Sequence, residues 1–355
     1  MRSSAFLGLV AVALLSHHSV FAADQPPPES VRFSSGDVTL AGSLFIPTGK
    51  TPHPGVVLIG GSGSARRGGL QEYAQHLCSL GFCALTYDKR GNGESSGDWT
   101  TSSLDDLASD AAAAISYLKR LPQVDSNRVG VWGVSQAGWI IPILSTREPE
   151  LAFAIIVTGG GATPREVEMN SYERALDEEK VSGQDRRDAK ALLARYFEWL
   201  KTGVDRAGLL AAVEQARSKS WYSVISLDQI LPSDRFRPKW QWVAEFDPLP
   251  LIKTMRIPVL VVLGGKDHLL PVELSAQRWQ EGLAAAGNVD AVVKVLPEVN
   301  HAGRLGEMHS NDSPISPEYF RLVKDFLTKQ IVLPYSRSTG LSDEVFVSIL
   351  HLLSI

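Results

Sequence analysis

Short apolar segments that alternate with amphipathic ones constrain the fold of this chain more than any other feature. Residues 259–263 read Val-Leu-Val-Val-Leu, and residues 55–59 and 152–157 are almost as apolar along their whole length. Such segments are typical of parallel strands that are buried on both faces of a sheet. Their alternation with helical segments predicts an α/β fold with a doubly wound, mostly parallel sheet.

Residues 103–121 give the clearest helical pattern between two of these strands. Apolar residues recur there at helical spacing, Ser103 can cap the N-terminus, and Asp105 and Asp106 lie near its positive end. Further helices are predicted at residues 70–80, 136–144, 272–286 and 317–329, and further strands at 31–34, 38–45, 82–87, 128–132 and 291–296.

The stretch from residue 164 to residue 250 breaks the alternation. It contains no convincing strand, and apolar residues recur at helical spacing from Leu192 to Leu200. We interpret 164–250 as a helical cap inserted into a core formed by residues 31–163 and 251–330. Six aromatic residues gather in it, and we expect most of them to form the core of the cap itself: Trp199, Trp221, Tyr222, Trp240, Trp242 and Phe246.

Both ends of the chain lie outside this predicted core. Residues 1–22 have the pattern of an export signal, with Arg2 before an apolar run at 5–15 and small residues before a cut at Ala23. A membrane anchor is the alternative, but the run is shorter than the roughly 20 residues that span a bilayer. We therefore expect an exported protein, periplasmic or secreted, with no membrane span once the signal is removed. The apolar tail, residues 331–355, has no role that its pattern indicates.

Composition limits the partners of the chain. Of its 355 residues 44% are hydrophobic and 21% charged, which is an ordinary globular balance. The formal net charge is −4, and basic residues cluster no further than short pairs such as Arg66-Arg67, which argues against nucleic-acid binding. Cys78 and Cys83 are the two cysteines. We favour buried thiols over a disulfide, because a bridge requires Cα atoms within about 7 Å.

The segment Gly133-Val134-Ser135-Gln136-Ala137-Gly138 stands between a predicted strand and a predicted helix. A serine on such a turn exposes its Oγ above the sheet edge, where the helix N-terminus favours negative charge. Small residues two before and two after the serine let strand and helix pack closely. The usual motif has glycine at both places, so Ala137 is a departure. Ser135 is the candidate nucleophile, and the alternative is a serine that only caps the helix.

His301 and Asp267 complete a possible triad, because both follow the serine in one known chain order of nucleophile, acid and base. Asp267 comes after strand 258–263 and His301 after strand 291–296, so both are expected at the carboxyl edge of the sheet. The acid would orient the imidazole and stabilise the imidazolium. The alternative for Asp267 is a loop-capping aspartate. Two other histidines are minor rivals for the base: His268 and His309.

A glycine-rich loop at residues 60–63 follows the strand 55–59. The backbone N–H of Ser62 or Gly61, together with that of Gln136 at the helix start, can stabilise an oxyanion. As a phosphate cradle the loop fails, because no Gly-Lys-Ser/Thr ending follows it. The site predicted in this way uses no metal and no cofactor.

Residues 31–330 resemble the α/β-hydrolase superfamily. The segment Asp88-Lys89-Arg90-Gly91-Asn92-Gly93-Glu94-Ser95 is similar to that superfamily's D-x-R-G-x-G-x-S, and it stands in the expected order with the serine turn, Gly-x-Asp and Asn-His. The resemblance is nearest to bacterial exported carboxylesterases, close to the serine-aminopeptidase-like branch. It implies metal-free hydrolysis of esters or amides through an acyl-enzyme. We expect Asp88 to pair with Arg90 and so to hold their loop.

These features predict a serine hydrolase of small-molecule carboxylic esters, because an aromatic cap would cover an apolar acyl pocket. Two alternatives stay open. An aminopeptidase-like amide hydrolase would need carboxylates in the cap to bind a substrate amine, and Glu166, Glu168 and Glu173 are available. A catalytically silent binding protein on the same fold is the other. The sequence predicts no oligomeric state.

Overall fold

One sheet of eight strands forms the centre of the protein in the residues that the computed structural model describes, 26–307 and 313–332. In chain order the strands are β1 (Glu29–Ser35), β2 (Val38–Phe45), β3 (His53–Ile59), β4 (Cys83–Tyr87), β5 (Val124–Val134), β6 (Ala154–Val157), β7 (Val259–Gly264) and β8 (Ala291–Leu296). Across the sheet their order is β1-β2-β4-β3-β5-β6-β7-β8. Strand β2 pairs antiparallel with β1 and β4, and the other neighbours are parallel. The predicted α/β fold is confirmed.

Two helical layers cover the sheet, and this explains why β3, β4, β6 and β7 are buried along their whole length. Apolar side chains of three helices pack on one face: α2 (Leu104–Lys119), α3 (Ala137–Arg147) and α11 (Val272–Ala285). Those of α1 (Gln71–Ser79) and α12 (Pro317–Leu327) pack on the other. Helix α2 begins where its sequence indicates, because Ser103 and Asp106 form a reciprocal capping box.

Between β6 and β7 the described chain is helical. The helices are α4 (Pro164–Glu178), α5 (Gly183–Thr202), α6 (Arg206–Ala216), α7 (Tyr222–Ile225), α8 (Arg237–Trp240), α9 (Trp242–Glu245) and α10 (Leu249–Ile252). They enclose an apolar cluster of their own, which includes Trp199, Trp221 and Tyr222. Trp242 packs against this cluster and also on Trp139 of α3, with ring centroids 5.9 Å apart. The Trp240 Nε1–H donates to the Thr100 carbonyl at 2.6 Å, so α8 and α9 join the cap region to the body.

Some predictions concern positions outside the described residues. These are the export signal at 1–22, the tail beyond residue 332, and the rival His309, which falls between the two described ranges. Within the described residues, no helix is both long enough and apolar enough to cross a membrane. Cys78 and Cys83 are buried and unbridged, as expected, and burial raises the pKa of each thiol to about 12.

The loop after β4 corrects one prediction, since Asp88 does not pair with Arg90. The Asp88 carboxylate accepts hydrogen bonds from the backbone N–H groups of Arg67, at 2.8 Å, and Glu94, at 3.0 Å. It also lies 3.4 Å from the Arg67 guanidinium. The loop can close around this carboxylate because Gly93 has φ +52° and any Cβ there would collide with it.

Arg90 turns to helix α2 instead. Its Nε and Nη2 donate to the two oxygens of Asp110, each at 2.7 Å, and the Asp110 side chain is 1% exposed. Asp110 lies on the buried face of the helix, 20 residues along the chain. The spacing within a short motif cannot indicate a partner at that distance.

Replacing Arg90 by Met should therefore lower the free energy of unfolding by about 3–5 kcal/mol, because the Asp110 carboxylate would be left buried without its cation. Urea unfolding measures the change. The matched control is Arg32→Met, which breaks an ion pair with Glu94 whose side chains are 57% and 54% exposed and should cost less than about 1 kcal/mol. Equal losses in the two variants would contradict the assignment of Arg90 to a buried pair.

Candidate active site

Ser135 lies on a left-handed turn between β5 and α3, with φ 55°. Its backbone N–H donates to the Val157 carbonyl of β6 at 3.0 Å, which ties the turn to the next strand. A Cβ on Gly133 would collide with the methyl group of Ala137. The departure from the usual motif is thus accommodated, because Gly133 leaves room for the Ala137 methyl.

Three consecutive glycines after β6 support this turn from the other side. A Cβ on Gly159 would collide with the Ser135 carbonyl oxygen, and one on Gly160 with the Gly138 carbonyl. The Trp279 Nε1–H donates to the Gly159 carbonyl at 3.0 Å. The sequence analysis missed this support, although a run of glycines directly after an apolar strand was a usable signal for close backbone packing.

The three predicted triad residues come together at the carboxyl edge of the sheet. The His301 Nε2 is 2.9 Å from the Ser135 Oγ, and the His301 Nδ1 is 2.7 Å from the Asp267 Oδ2. The other oxygen of Asp267 accepts from the backbone N–H groups of Leu269, at 2.9 Å, and Leu270, at 3.0 Å. Both oxygens of this buried carboxylate therefore have partners, and the loop after β7 keeps its orientation.

The charge of Asp267 governs the titration of His301. Burial by itself lowers the pKa of the imidazole, but the neighbouring carboxylate and its hydrogen bond outweigh burial and raise that pKa above the ordinary histidine value. The imidazolium is consequently stabilised where a proton taken from Ser135 would reside.

Backbone contacts hold the loop that carries His301. Its carbonyl accepts a hydrogen bond from the Thr158 hydroxyl at 2.6 Å. The fully buried Asn300 accepts from the N–H groups of Ala302, at 2.9 Å, and Arg304, at 3.2 Å. The Tyr73 hydroxyl donates to the Ala302 carbonyl at 2.7 Å. The histidine position therefore depends on the residue that follows β6, on α1 and on its own loop.

The predicted oxyanion donors lie beside the serine. A Cβ added to Gly61 would lie 3.2 Å from the Ser135 Cβ and 3.8 Å from its Oγ. Within the described part of the chain, the backbone N–H groups of Gly61, Ser62 and Gln136 donate to no protein acceptor. Free backbone donors around a nucleophilic oxygen are the arrangement that an oxyanion requires.

The other described histidines have different surroundings. His268 is 3.5 Å from Glu307, and its side chain is 38% exposed. His53 and His76 are buried, and burial lowers the pKa of His76 to about 4. No cluster of three or more His, Cys, Asp or Glu side chains suited to a metal ion occurs in residues 26–307 and 313–332.

The three cap carboxylates differ in their partners. Glu166 binds the Arg278 guanidinium through two bonds of 2.6 and 2.7 Å, and Glu173 pairs with Arg186 and Lys190. Glu168, which is half-buried, has no hydrogen bond or ion pair among the described residues. The surrounding protein raises the pKa of the Glu168 carboxyl to about 7 by desolvation.

Sequence comparisons relate this chain to known hydrolases and to other proteins. The family model described as X-Pro dipeptidyl-peptidase (S15 family) matches residues 35–293. The esterase EstD of Thermotoga maritima is 26% identical over 324 residues, which cover 87% of this chain and 68% of EstD. The quorum-quenching protein AidA of Acinetobacter baumannii is 34% identical over 131 residues, which cover 36% of this chain and only 42% of AidA.

Solved structures share the architecture at low identity. The esterase Pf2001 of Pyrococcus furiosus aligns with a TM-score of 0.57 at 17% identity, covering 89% of this chain and 95% of the esterase. Est1E from Butyrivibrio proteoclasticus, with ferulic acid bound, aligns with a TM-score of 0.55 at 15% identity, covering 85% and 99%. At these identities the likeness concerns the fold alone.

Substituting Asp267 by Asn should lower the pKa of His301, because burial would then act without an opposing charge. The measurement is an NMR titration of protein labelled at the histidine ring carbons. The resonance of His76 serves as the internal control, since its low pKa arises mainly from burial and not from Asp267. If the pKa of His301 is the same in Asp267→Asn as in the wild type, the carboxylate does not set this pKa.

Proposed function

We propose that this chain, which belongs to the S15 peptidase family, hydrolyses small-molecule carboxylic esters with Ser135 as nucleophile, His301 as base and Asp267 as the acid that orients it. It is a serine hydrolase with the α/β-hydrolase fold. One observation carries the residue assignment: the hydrogen-bonded line from Ser135 Oγ through His301 to Asp267, with distances of 2.9 and 2.7 Å. We also propose export, which rests on the signal pattern of residues 1–22.

The reaction proceeds in two stages. His301 Nε2 removes the proton of the Ser135 hydroxyl as its oxygen attacks the ester carbonyl, and the carbonyl oxygen becomes an oxyanion. Collapse of this intermediate expels the alcohol, which takes its proton from His301. In the second stage His301 deprotonates a water molecule, which attacks the acyl-enzyme. Collapse of this second intermediate releases the acid, and the Ser135 oxygen takes its proton back from His301.

Backbone donors stabilise the charge that develops in both stages. The N–H of Gln136 at the start of α3 and that of Ser62 or Gly61 flank the serine and donate to no acceptor in residues 26–307 and 313–332. Such fixed dipoles need no rearrangement when the charge forms. The preference for esters is supported by the 26% identity to an esterase over most of the chain.

Replacing Ser135 by Ala should lower kcat by about 10⁶-fold on p-nitrophenyl esters, since no other group takes over the attack. Asp267→Asn should lower it by about 10⁴-fold, because the amide favours the wrong imidazole tautomer. The Ser135→Ala protein should no longer be labelled by a fluorophosphonate. The Tm of this variant should stay near that of the wild type. Wild-type turnover by a folded Ser135→Ala protein would reject the assignment. An unlabelled, inactive wild type would favour the silent binding protein.

A second candidate function is amide hydrolysis at a free N-terminus, which the family description and Glu168 favour. Of the three candidate glutamates, Glu168 is the one without a cation within the described residues, and desolvation raises its pKa to about 7. A substrate ammonium beside it would stabilise the ionised form. Glu166 and Glu173 are already paired with arginine or lysine side chains and are poorer receptors.

Glu168→Gln should then raise KM for an alanyl-prolyl p-nitroanilide by about tenfold or more, the effect of losing about 1.4 kcal/mol of binding. The N-acetylated substrate carries no ammonium, so its KM should not change. Glu173→Gln is the matched control, because its carboxylate already binds Arg186 and Lys190. If the enzyme hydrolyses esters rapidly but turns over neither anilide, amide hydrolysis is rejected and ester hydrolysis remains as the function.

A further inference from the structure

Lys89 is a buried cation in the loop after β4 that the triad does not use. The residue is 6% exposed. Its ammonium donates to the Gly61 carbonyl oxygen and to the Gln136 Oε1, the latter at 3.0 Å. It thus joins the glycine-rich loop after β3 to the start of helix α3, the two segments that flank Ser135.

The bond to Gly61 acts on one particular peptide unit. The Gly61 carbonyl and the Ser62 N–H belong to the same planar trans peptide, so they point in opposite directions. Once Lys89 binds the carbonyl on one side, the Ser62 N–H is directed to the other side. Gly61 lies next to the serine, because a Cβ added to it would be 3.8 Å from the Ser135 Oγ. The orientation of this peptide therefore decides whether the Ser62 N–H faces an oxyanion.

The second bond of Lys89 restrains the other donor. Gln136 follows Ser135, and its N–H lies at the beginning of α3. The Gln136 side chain is buried and accepts from Lys89 through its Oε1, so this bond anchors the residue that carries the second donor. One ammonium thereby fixes both segments that present backbone donors to the serine.

Among the described residues, Lys89 has no anionic partner that would compensate its buried charge. In the part of the chain that the structure describes, no carboxylate lies within ion-pair distance of it, and Asp110 is bound to Arg90. Desolvation lowers the pKa of Lys89 to about 7, against a smaller raising effect of the Asp110 charge. A small cavity lies beside it, lined by Tyr87, Asp110 and Gly60 among others. Burying an unpaired ammonium is unfavourable unless its hydrogen bonds offset the loss of water.

We propose that Lys89 is a positioning residue for the oxyanion hole, which it orients through the Gly61–Ser62 peptide and the Gln136 side chain. This inference rests on the proposed function, since it presupposes acyl transfer at Ser135. Lys89 touches neither substrate nor the reacting atoms. Its effect is to align a donor that strengthens its bond only when the carbonyl oxygen becomes negative.

The test compares Lys89→Met, which keeps the volume and removes the donors, with Lys119→Met as the matched control. Lys119 ends α2 just before β5 begins, whereas Ser135 follows the end of β5, and the Lys119 ammonium lies 3.8 Å from Glu148. In Lys89→Met, kcat for p-nitrophenyl esters should fall by about 10²-fold with KM nearly unchanged, because the lost alignment matters most in the transition state. Lys119→Met should retain wild-type kcat.

Binding of an aryl boronic acid separates positioning from mere support. The boronate adduct on Ser135 is a tetrahedral anion, so its inhibition constant should rise in Lys89→Met by the same factor as kcat/KM falls. All rates are taken per active site, counted by fluorophosphonate labelling, so that unfolded protein does not enter. Lys89→Gln is a second variant, which keeps a polar side chain and a donor toward the loop. Its kcat/KM and its boronate inhibition constant should lie between those of the wild type and Lys89→Met.

Wild-type kcat per labelled site in either Lys89 variant, or boronate affinity that does not follow kcat/KM, would overturn the inference. A lower Tm alone would assign Lys89 a structural role and would equally overturn it. Failure of the proposed function is a different result. In that case the wild type itself would not be labelled, or Ser135→Ala would keep its turnover.

Discussion

The left-handed turn at Ser135 is the constraint on which the rest of the site depends. A non-glycine residue with φ 55° is held there by the Val157 carbonyl and by glycine backbones that approach from two sides. Backbone strain of this kind persists only where neighbouring structure over-determines it. The glycines at 133 and 159 supply that support, because a side chain at either would displace the turn.

Hydrogen bonds extend this rigidity to the other members of the site. Thr158 follows β6 and binds the carbonyl of His301, so the strand that supports the serine turn also holds the histidine loop. Asp267 has both oxygens bonded, one to His301 and one to its own loop. The hydrogen-bonded side chains of His301 and Asp267 are thus carried on loops whose backbone is fixed, which keeps His301 within 2.9 Å of the Ser135 Oγ.

Buried charge is distributed in two ways around the glycine-rich loop. Arg90 and Asp110 form a closed pair that fixes the loop after β4 to helix α2. Lys89, the residue just before Arg90, binds neutral acceptors instead, and they lie beside the serine. A paired charge has little field left at a distance, whereas a cation on backbone and amide oxygens polarises those groups. The neighbouring residues of one short motif therefore support the fold and the site separately.

The sequence by itself determined what local pattern can encode. The apolar run at residues 259–263 favoured a strand buried on both faces, and Ser135 was recognisable because a strand, a tight turn and a helix start are all local features. Tertiary structure decided whatever depends on partners far along the chain. The expected pair of Asp88 and Arg90 was wrong, since Asp88 binds Arg67 and Arg90 binds Asp110. Likewise, the sequence could not distinguish Glu166, Glu168 and Glu173. In the folded chain, Glu168 is the one of the three without a cation among the described residues. The reason is physical: turns and strands arise from neighbouring residues, whereas ion pairing and desolvation depend on which segments the fold brings together.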